Sequence, residues 1–269
     1  MPEGHVVHRL AARYLGSFGG RTVAVSSPQG RFADSASRVD GRVLESTEAH
    51  GKQLFLGFGA DEWVRIHLGI YGKVAFGRGE PPAPVGAIRL RMVADDAWSE
   101  LRGPAACELI GSGEKADVVS RLGPDPLRAD ADPERAWERI RRSRSSIATL
   151  LMDQHVIAGA GNIFRAEVLF RRGIDPLRAG RDLTRAEWDA MWTDLKSLMD
   201  NSVHVGRIDT VRPEHTPEAM GRPPRVDDHG GEVYVYRRAA QDCHVCRGPI
   251  SMRELAGRNL FWCPSCQNR

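Results

Sequence analysis

Residues 243–266 read CHVCRGPISMRELAGRNLFWCPSC, two C-x2-C pairs separated by sixteen residues. Four thiolates in two close pairs suit tetrahedral zinc, because each pair sits on a tight turn and the chain between them folds back as a hairpin. An all-thiolate set leaves no open position for an activated water. The spacing therefore predicts one structural Zn2+ held by Cys243, Cys246, Cys263 and Cys266. The piece from 233 to 269 has too little core to fold unaided, so the metal is expected to supply much of its folding free energy. Cys107 has no partner at such a spacing and reads as a small buried residue. Within the hairpin, Arg258 lies five residues before the third cysteine. It could face a phosphate or solvent.

Outward from this cluster, the 269 residues are 41% hydrophobic, 27% charged and 7% aromatic, a globular balance that excludes a disordered chain. No apolar run reaches the length of a membrane span, and the opening MPEGHVVHRL lacks the apolar core of a secretory signal. A cytoplasmic protein is the expectation. Net charge is only +3, but it is unevenly spread. From Arg135 to Arg181 ten arginines face four acids, a local +6, and such a stretch points to a polyanion as partner. Arginine-biased codon usage is the competing explanation, since only four lysines (Lys52, Lys73, Lys115 and Lys196) occur in the chain.

The periodicity changes along the chain. Val6, Val7, Leu10 and Tyr14 recur at helical spacing, predicting a helix from about residue 4 to 15, and AIRLRMV, QLFLGF and EWVRIHLGIYGKVAF are β-rich. These form an antiparallel β module, residues 1–126, ending at Gly-Pro-Asp-Pro. Helical patterns follow in residues 127–232. Asp132-Pro133 opens one helix, and Thr184 with Glu187 makes the capping box of a long one carrying Trp188, Trp192, Leu195 and Leu198. Residues 206–231, rich in Pro, Gly and charge, read as a mobile loop, and VYVYRR as a strand leading into the cysteine domain, 233–269. Gly159-Ala160-Gly161-Asn162 precedes the helix IFRAEVLFRR, where backbone amides and the asparagine offer N–H donors to an anion.

MPEG at the start, Gly51-Lys52 opening a strand, GAGNIFRAEVLF and GRNLFWCPSCQ together resemble the formamidopyrimidine-DNA glycosylase and endonuclease VIII family, in order and across nearly the whole chain. MPEG with HLGIYG resembles the endonuclease VIII branch. The resemblance implies an α+β fold: an N-terminal β-sandwich flanked by helices, a helix-two-turn-helix domain and a C-terminal zinc finger. It implies a DNA glycosylase and abasic-site lyase of base-excision repair, acting as a monomer on damaged double-stranded DNA. Pro2, freed by removal of Met1, would be the amine nucleophile, Glu3 the acid that opens the sugar ring, Lys52 a lysine aiding base loss and elimination, and Arg258 the finger arginine at the flanking phosphate. Asn162 and Arg121 would contact backbone. Ile70 and Tyr71 would fill the gap left by a flipped nucleotide, with core packing as the alternative use of both.

Two positions depart from the family pattern: Val6 stands where many members carry an acid, and Gly69 where related enzymes have a polar wedge residue. The expected reaction is removal of oxidised bases, pyrimidines foremost, through a Pro2 Schiff base and β,δ-elimination. The alternatives are a lyase acting mainly on abasic sites and a non-catalytic zinc-finger DNA-binding module.

Overall fold

The computed structural model describes residues 2–59, 61–227 and 230–268. The processing of Met1, and Asp228 and His229 of the 206–231 loop, lie outside the described residues. The chain divides into two compact units, 1–121 and 122–269.

In the first unit helix α1 (Gly4–Phe18) leads into β1 (Thr22–Ser26), α2 (Ala33–Val39), β2 (Arg42–Val43), β3 (Ser46–His50), β4 (Gln53–Gly57) and β5 (Trp63–His67). Then come β6 (Lys73–Arg78), β7 (Ile88–Ala94), β8 (Ala97–Arg102), β9 (Ala106–Ile110) and α3 (Ser112–Ser120). The strands form two sheets, ordered β2-β1-β7-β8-β6 and β3-β4-β5-β9, with antiparallel pairing throughout. Period-two burial is visible in β5, where Val64 and Ile66 turn inward. Helix α1 runs three residues further than expected. Its buried stripe is Val7, Ala11, Tyr14 and Phe18, with Val6 and Leu10 at the margin. Tyr14 and Phe18 are wholly buried, each contributing about 1.5–3 kcal/mol. Gly19 ends the helix, and a Cβ there would stand 2.5 Å from the Leu15 carbonyl oxygen, which dictates glycine. Cys107 is buried, and burial pushes its thiol up to about 12.

The second unit comprises α4 (Pro133–Ile140), α5 (Ile147–Leu150), α6 (Asn162–Arg172), α7 (Arg185–Val205), α8 (Pro217–Met220), β10 (Ser251–Leu255) and β11 (Arg258–Trp262). Asp132 caps α4 by accepting from the Glu134 amide at 3.0 Å, and Pro133 is its first residue. The expected capping box of α7 is present, with the Thr184 amide donating to Glu187 at 2.8 Å. Helix α6 is apolar nearly all round, and residues 162–170 are all buried, so it is the central helix of the unit. One continuous core joins Phe164 and Leu169 of α6 to Trp188 and Met191 of α7 and to Ile250, Leu260 and Phe261 beside the cysteines.

Three expectations change here. VYVYRR is not a strand, because its amides turn inward to a buried carboxylate rather than to a ladder. The 206–231 loop carries helical turns at Pro213–His215 and α8, tied by Arg222 to Glu232 at 2.7 Å. The cysteine region shares the helical core, so metal is not its only source of stability.

His5, two residues after Glu3, is buried, and burial, reinforced by Arg9, lowers its pKa to about 4. A histidine with a depressed folded pKa is protonated first in the unfolded chain, so stability is full above pH 6.5 and falls toward pH 4. Denaturant melts of wild type should lose about 2 kcal/mol more between pH 7 and pH 5 than those of His5→Gln. Parallel pH profiles for the two proteins would remove His5 as the cause.

Candidate active site and nucleic-acid interface

Pro2 and Glu3 stand where α1 begins. Pro2 is partly exposed, and Glu3 is the N-cap residue with no exposed surface. The Glu3 backbone carbonyl accepts from the Val6 amide at 3.0 Å, while its carboxyl makes no capping bond to the helix. The apolar stripe of α1 thus buries a carboxyl directly after the second residue.

Lys52 occupies the two-residue turn between β3 and β4, since His50 pairs with Gln53 and Gly51 takes a φ of 59°. Gln53 in turn pairs with His67 at the end of β5, so the Lys52 turn and the segment after His67 share one end of the four-stranded sheet. The pKa of His67 is lowered by burial and by the charges of Arg65 and Lys52. Ile70 and Tyr71 sit on the turn that follows, 47% and 80% exposed. That exposure excludes the core-packing alternative in this structure. Gly69 has a φ of 66°, and a Cβ there would lie 2.7 Å from that of Ala105. Geometry therefore forbids a polar wedge side chain at that position. At the end of α3, Arg121 is exposed, with its Nε donating to the Asp117 carbonyl at 3.1 Å.

In the second unit, Asn162 opens α6 and is 6% exposed. The preceding turn is braced by Gln154, whose Oε1 accepts from the Gly159 amide and whose Nε2 donates to the Ala160 carbonyl, both at 2.9 Å. Asn162 Nδ2 donates to the Asn259 carbonyl at 3.0 Å. Arg258, half-buried, begins β11 after a turn in which Ala256 and Gly257 both have positive φ, the pattern of a tight hairpin. Asn162 and Arg258 are thus brought together through the residue that follows the arginine.

The four sulfurs of Cys243, Cys246, Cys263 and Cys266 lie within 4.8 Å of one another. Cys243 and Cys266 are separated by 3.9 Å, and Cys246 and Cys263 by 3.4 Å. A tetrahedral zinc with about 2.3 Å bonds to sulfur fits such spacings. The Val245 amide donates to Cys243 Sγ at 3.4 Å, support suited to a thiolate.

The +6 stretch is largely engaged within the protein. Arg165 is wholly buried, Arg171 pairs with Asp194 at 2.7 Å, Arg178 with Glu187 at 2.5 Å, and Arg141 and Arg142 both with Glu138 at 2.7 Å. Counting charges overstated what this segment offers a polyanion. Sequence reasoning also missed Arg165 and Glu167 as core residues. Their signal is two charged residues among apolar neighbours in the middle of a helix whose other charges, Arg171 and Arg172, stand at its end.

Three family profiles match the chain: the formamidopyrimidine-DNA glycosylase N-terminal domain over residues 1–102, its H2TH domain over 122–213, and the zinc finger found in FPG and IleRS over 241–269. Endonuclease 8 1 of Mycobacterium tuberculosis (strain CDC 1551 / Oshkosh) is 52% identical, covering 99% of this chain and 100% of its own length. This chain belongs to the formamidopyrimidine-DNA glycosylase family. It is accordingly a DNA-repair glycosylase and lyase. Formamidopyrimidine-DNA glycosylase of Laribacter hongkongensis is a more distant relative, 29% identical over 99% of this chain and all of its own. Lactococcus lactis Fpg, solved with DNA containing an abasic site, shares the fold with a TM-score of 0.80 at 22% identity, covering 99% of this chain and 100% of its own. Among the described residues no helix is long and apolar enough to cross a membrane.

Metal analysis of protein purified without added metal should give one zinc per chain. Chelation should lower the melting temperature and the affinity for DNA while leaving most helical circular dichroism, because α6 and α7 keep their own core. A folded protein with four reduced thiols and no bound metal would contradict the site.

Proposed function

We propose that this glycosylase removes oxidised bases, pyrimidines foremost, from double-stranded DNA through an iminium on Pro2 and then cleaves the strand by β,δ-elimination. The observation that carries the reading is the Glu3 carboxyl. It is fully buried, immediately follows Pro2 and is not used to cap α1. Once Met1 is removed, the Pro2 secondary amine attacks C1′ of the damaged nucleotide, the bond to the base breaks and the base departs with a proton. Glu3 donates a proton to O4′ as the ring opens, leaving the iminium. Loss of a C2′ proton expels the 3′ phosphate and loss of a C4′ proton the 5′ phosphate, and water releases Pro2. Lys52 aids these proton transfers from its turn.

Arg258, Asn162 and Arg121 hold phosphates, and exposed Ile70 and Tyr71 occupy the space vacated by the flipped nucleotide. The four cysteines hold one structural zinc, which supplies no chemistry to the sugar and fixes the hairpin that carries Arg258. The preference for pyrimidines rests on the resemblance to the endonuclease VIII branch, to which the identity is higher, 52% against 29% for a formamidopyrimidine-DNA glycosylase. The protein acts as a monomer.

Borohydride added during reaction should attach the protein covalently to lesion-containing or abasic DNA, and peptide mapping should place the adduct on the N-terminal peptide. Undamaged duplex should give none, and neither should protein that retains Met1 or has a blocked N-terminus. Efficient trapping by blocked protein would move the nucleophile elsewhere, with Lys52 the first suspect. A panel of defined lesions completes the test: cleavage confined to abasic sites would leave only a lyase.

Glu3→Gln keeps the shape but cannot supply the proton, so base excision should fall by about 10²–10⁴-fold. Cleavage of a preformed abasic site should suffer less, because the aldehyde is already open. Small and equal effects on both steps would remove Glu3 from the chemistry. Arg258→Ala and Asn162→Ala should weaken binding to damaged and undamaged duplex alike. Arg258→Ala should also flatten the slope of log affinity against log salt by about 0.9, because its guanidinium neutralises a phosphate, whereas loss of the uncharged Asn162 contact should leave the slope unchanged. An altered base preference with an unchanged slope in Arg258→Ala would instead assign the arginine to reading the lesion.

A further inference from the structure

Arg165 sits one turn into α6 with no exposed surface. It donates from Nη2 to Asn162 Oδ1 and to the Asn259 carbonyl at 3.4 Å, and from Nη1 to the Ala148 carbonyl at 3.4 Å. Burying a guanidinium is costly unless its geometry is used, and a methionine would fill similar space without a charge. Resting on the phosphate-binding roles of Asn162 and Arg258 proposed above, we infer that Arg165 is a positioning residue that presents both groups to one DNA backbone.

An asparagine side chain offers oxygen on one side and NH2 on the other, and only the NH2 can bond a phosphate oxygen. A guanidinium is a donor without an acceptor. By holding Oδ1, Arg165 prevents the amide from turning its oxygen outward. Nδ2 then spends one hydrogen on the Asn259 carbonyl at 3.0 Å and keeps the other for the phosphate. The same Nη2 reaches the Asn259 carbonyl, which belongs to the residue after Arg258. One guanidinium nitrogen, Nη2, therefore bridges a side chain on the helix and the backbone of the hairpin while Nη1 rests on the Ala148 carbonyl, fixing the spacing of two phosphate donors before DNA arrives. Such preorganisation removes ordering cost from binding. Lysine has no second nitrogen to rest on the Ala148 carbonyl, so its ammonium is held less firmly between the two oxygens.

The test measures duplex affinity across salt concentrations for Arg165→Met, Arg165→Lys, Asn162→Ala and the double variant Arg165→Met/Asn162→Ala. Arg165→Met should bind about tenfold more weakly, the loss typical of one hydrogen bond to a charged group. Its salt slope should stay close to that of Asn162→Ala, because the uncharged asparagine contact releases no counterion. The double variant should bind no more weakly than Asn162→Ala with respect to that contact, so the two effects are non-additive. Fully additive losses, or a folded Arg165→Met with wild-type affinity and slope, would overturn the inference.

Should Arg165→Met fail to fold, Arg165→Lys carries the test. An affinity between those of wild type and Asn162→Ala supports the guanidinium anchor, and wild-type affinity overturns it. A second readout needs no DNA. The side-chain NH2 resonances of Asn162, identified by their absence in Asn162→Ala, should exchange with water faster in Arg165→Lys than in wild type. Unchanged exchange counts against positioning. Faster exchange combined with no effect of Asn162→Ala or Arg258→Ala on binding would confirm the positioning geometry while refuting the phosphate roles on which its purpose rests.

Discussion

The Glu167 carboxylate is the fixed point of the second unit. It has no exposed surface, and it accepts hydrogen bonds from the amides of Tyr234, Val235 and Tyr236 at 2.7–2.9 Å and from the Thr210 hydroxyl at 2.5 Å. A charge in a core is tolerable only when so satisfied, and three successive amides aimed at one side chain cannot also join a sheet. The approach of the chain to the cysteines follows from this. Tyr234 stacks on Phe170 at 4.5 Å between ring centres, and Arg238 donates to the Asp242 carbonyl at 2.7 Å just before Cys243. At the far side, Gln267 accepts from the Cys263 amide at 2.9 Å and donates to the Ile174 carbonyl at 3.1 Å beyond the end of α6. Helix α6 therefore holds the hairpin at both its beginning and its end.

The first unit reaches comparable order with apolar contacts. Thr47 of β3 donates to the Ala11 carbonyl at 2.8 Å, and the stripe of α1 packs in the same core as Leu54, Leu56 and Ile66 of the four-stranded sheet. A helix seated by its middle and end carries its first residues with it. Burial of Glu3 is a consequence of where Val7, Ala11 and Tyr14 go.

The sequence was most legible where chemistry and spacing coincide. Four cysteines in two pairs, the Thr184–Glu187 box and the Asp132-Pro133 start were all readable because each depends on neighbours within a few positions. The strands of the sandwich were readable from alternation, as in Val64 and Ile66. What escaped depends on partners far along the chain. The string VYVYRR has every local mark of a strand, and only Glu167, more than sixty residues earlier, explains why it is not one. Arg165 counted as surface charge because composition does not record burial. The need for Gly69 depends on Ala105, between β8 and β9 and more than thirty residues along the chain. The roles of Pro2, Glu3, Lys52 and Arg121 come from family likeness rather than from any local pattern.

The basic residues number 38, of which four are lysines, and the structure withdraws one of these from contact. Lys115 lies 3.3 Å from the centre of the Trp63 ring and 2.6 Å from Glu48. Guanidinium groups stay protonated at any physiological pH, so they attract phosphate without condensing with carbonyl compounds. Under the proposed chemistry an opened sugar is an aldehyde held among cations, and lysines there would compete for it. With 34 of the 38 basic residues arginine, that electrophile meets few amines other than Pro2 and Lys52 able to capture it.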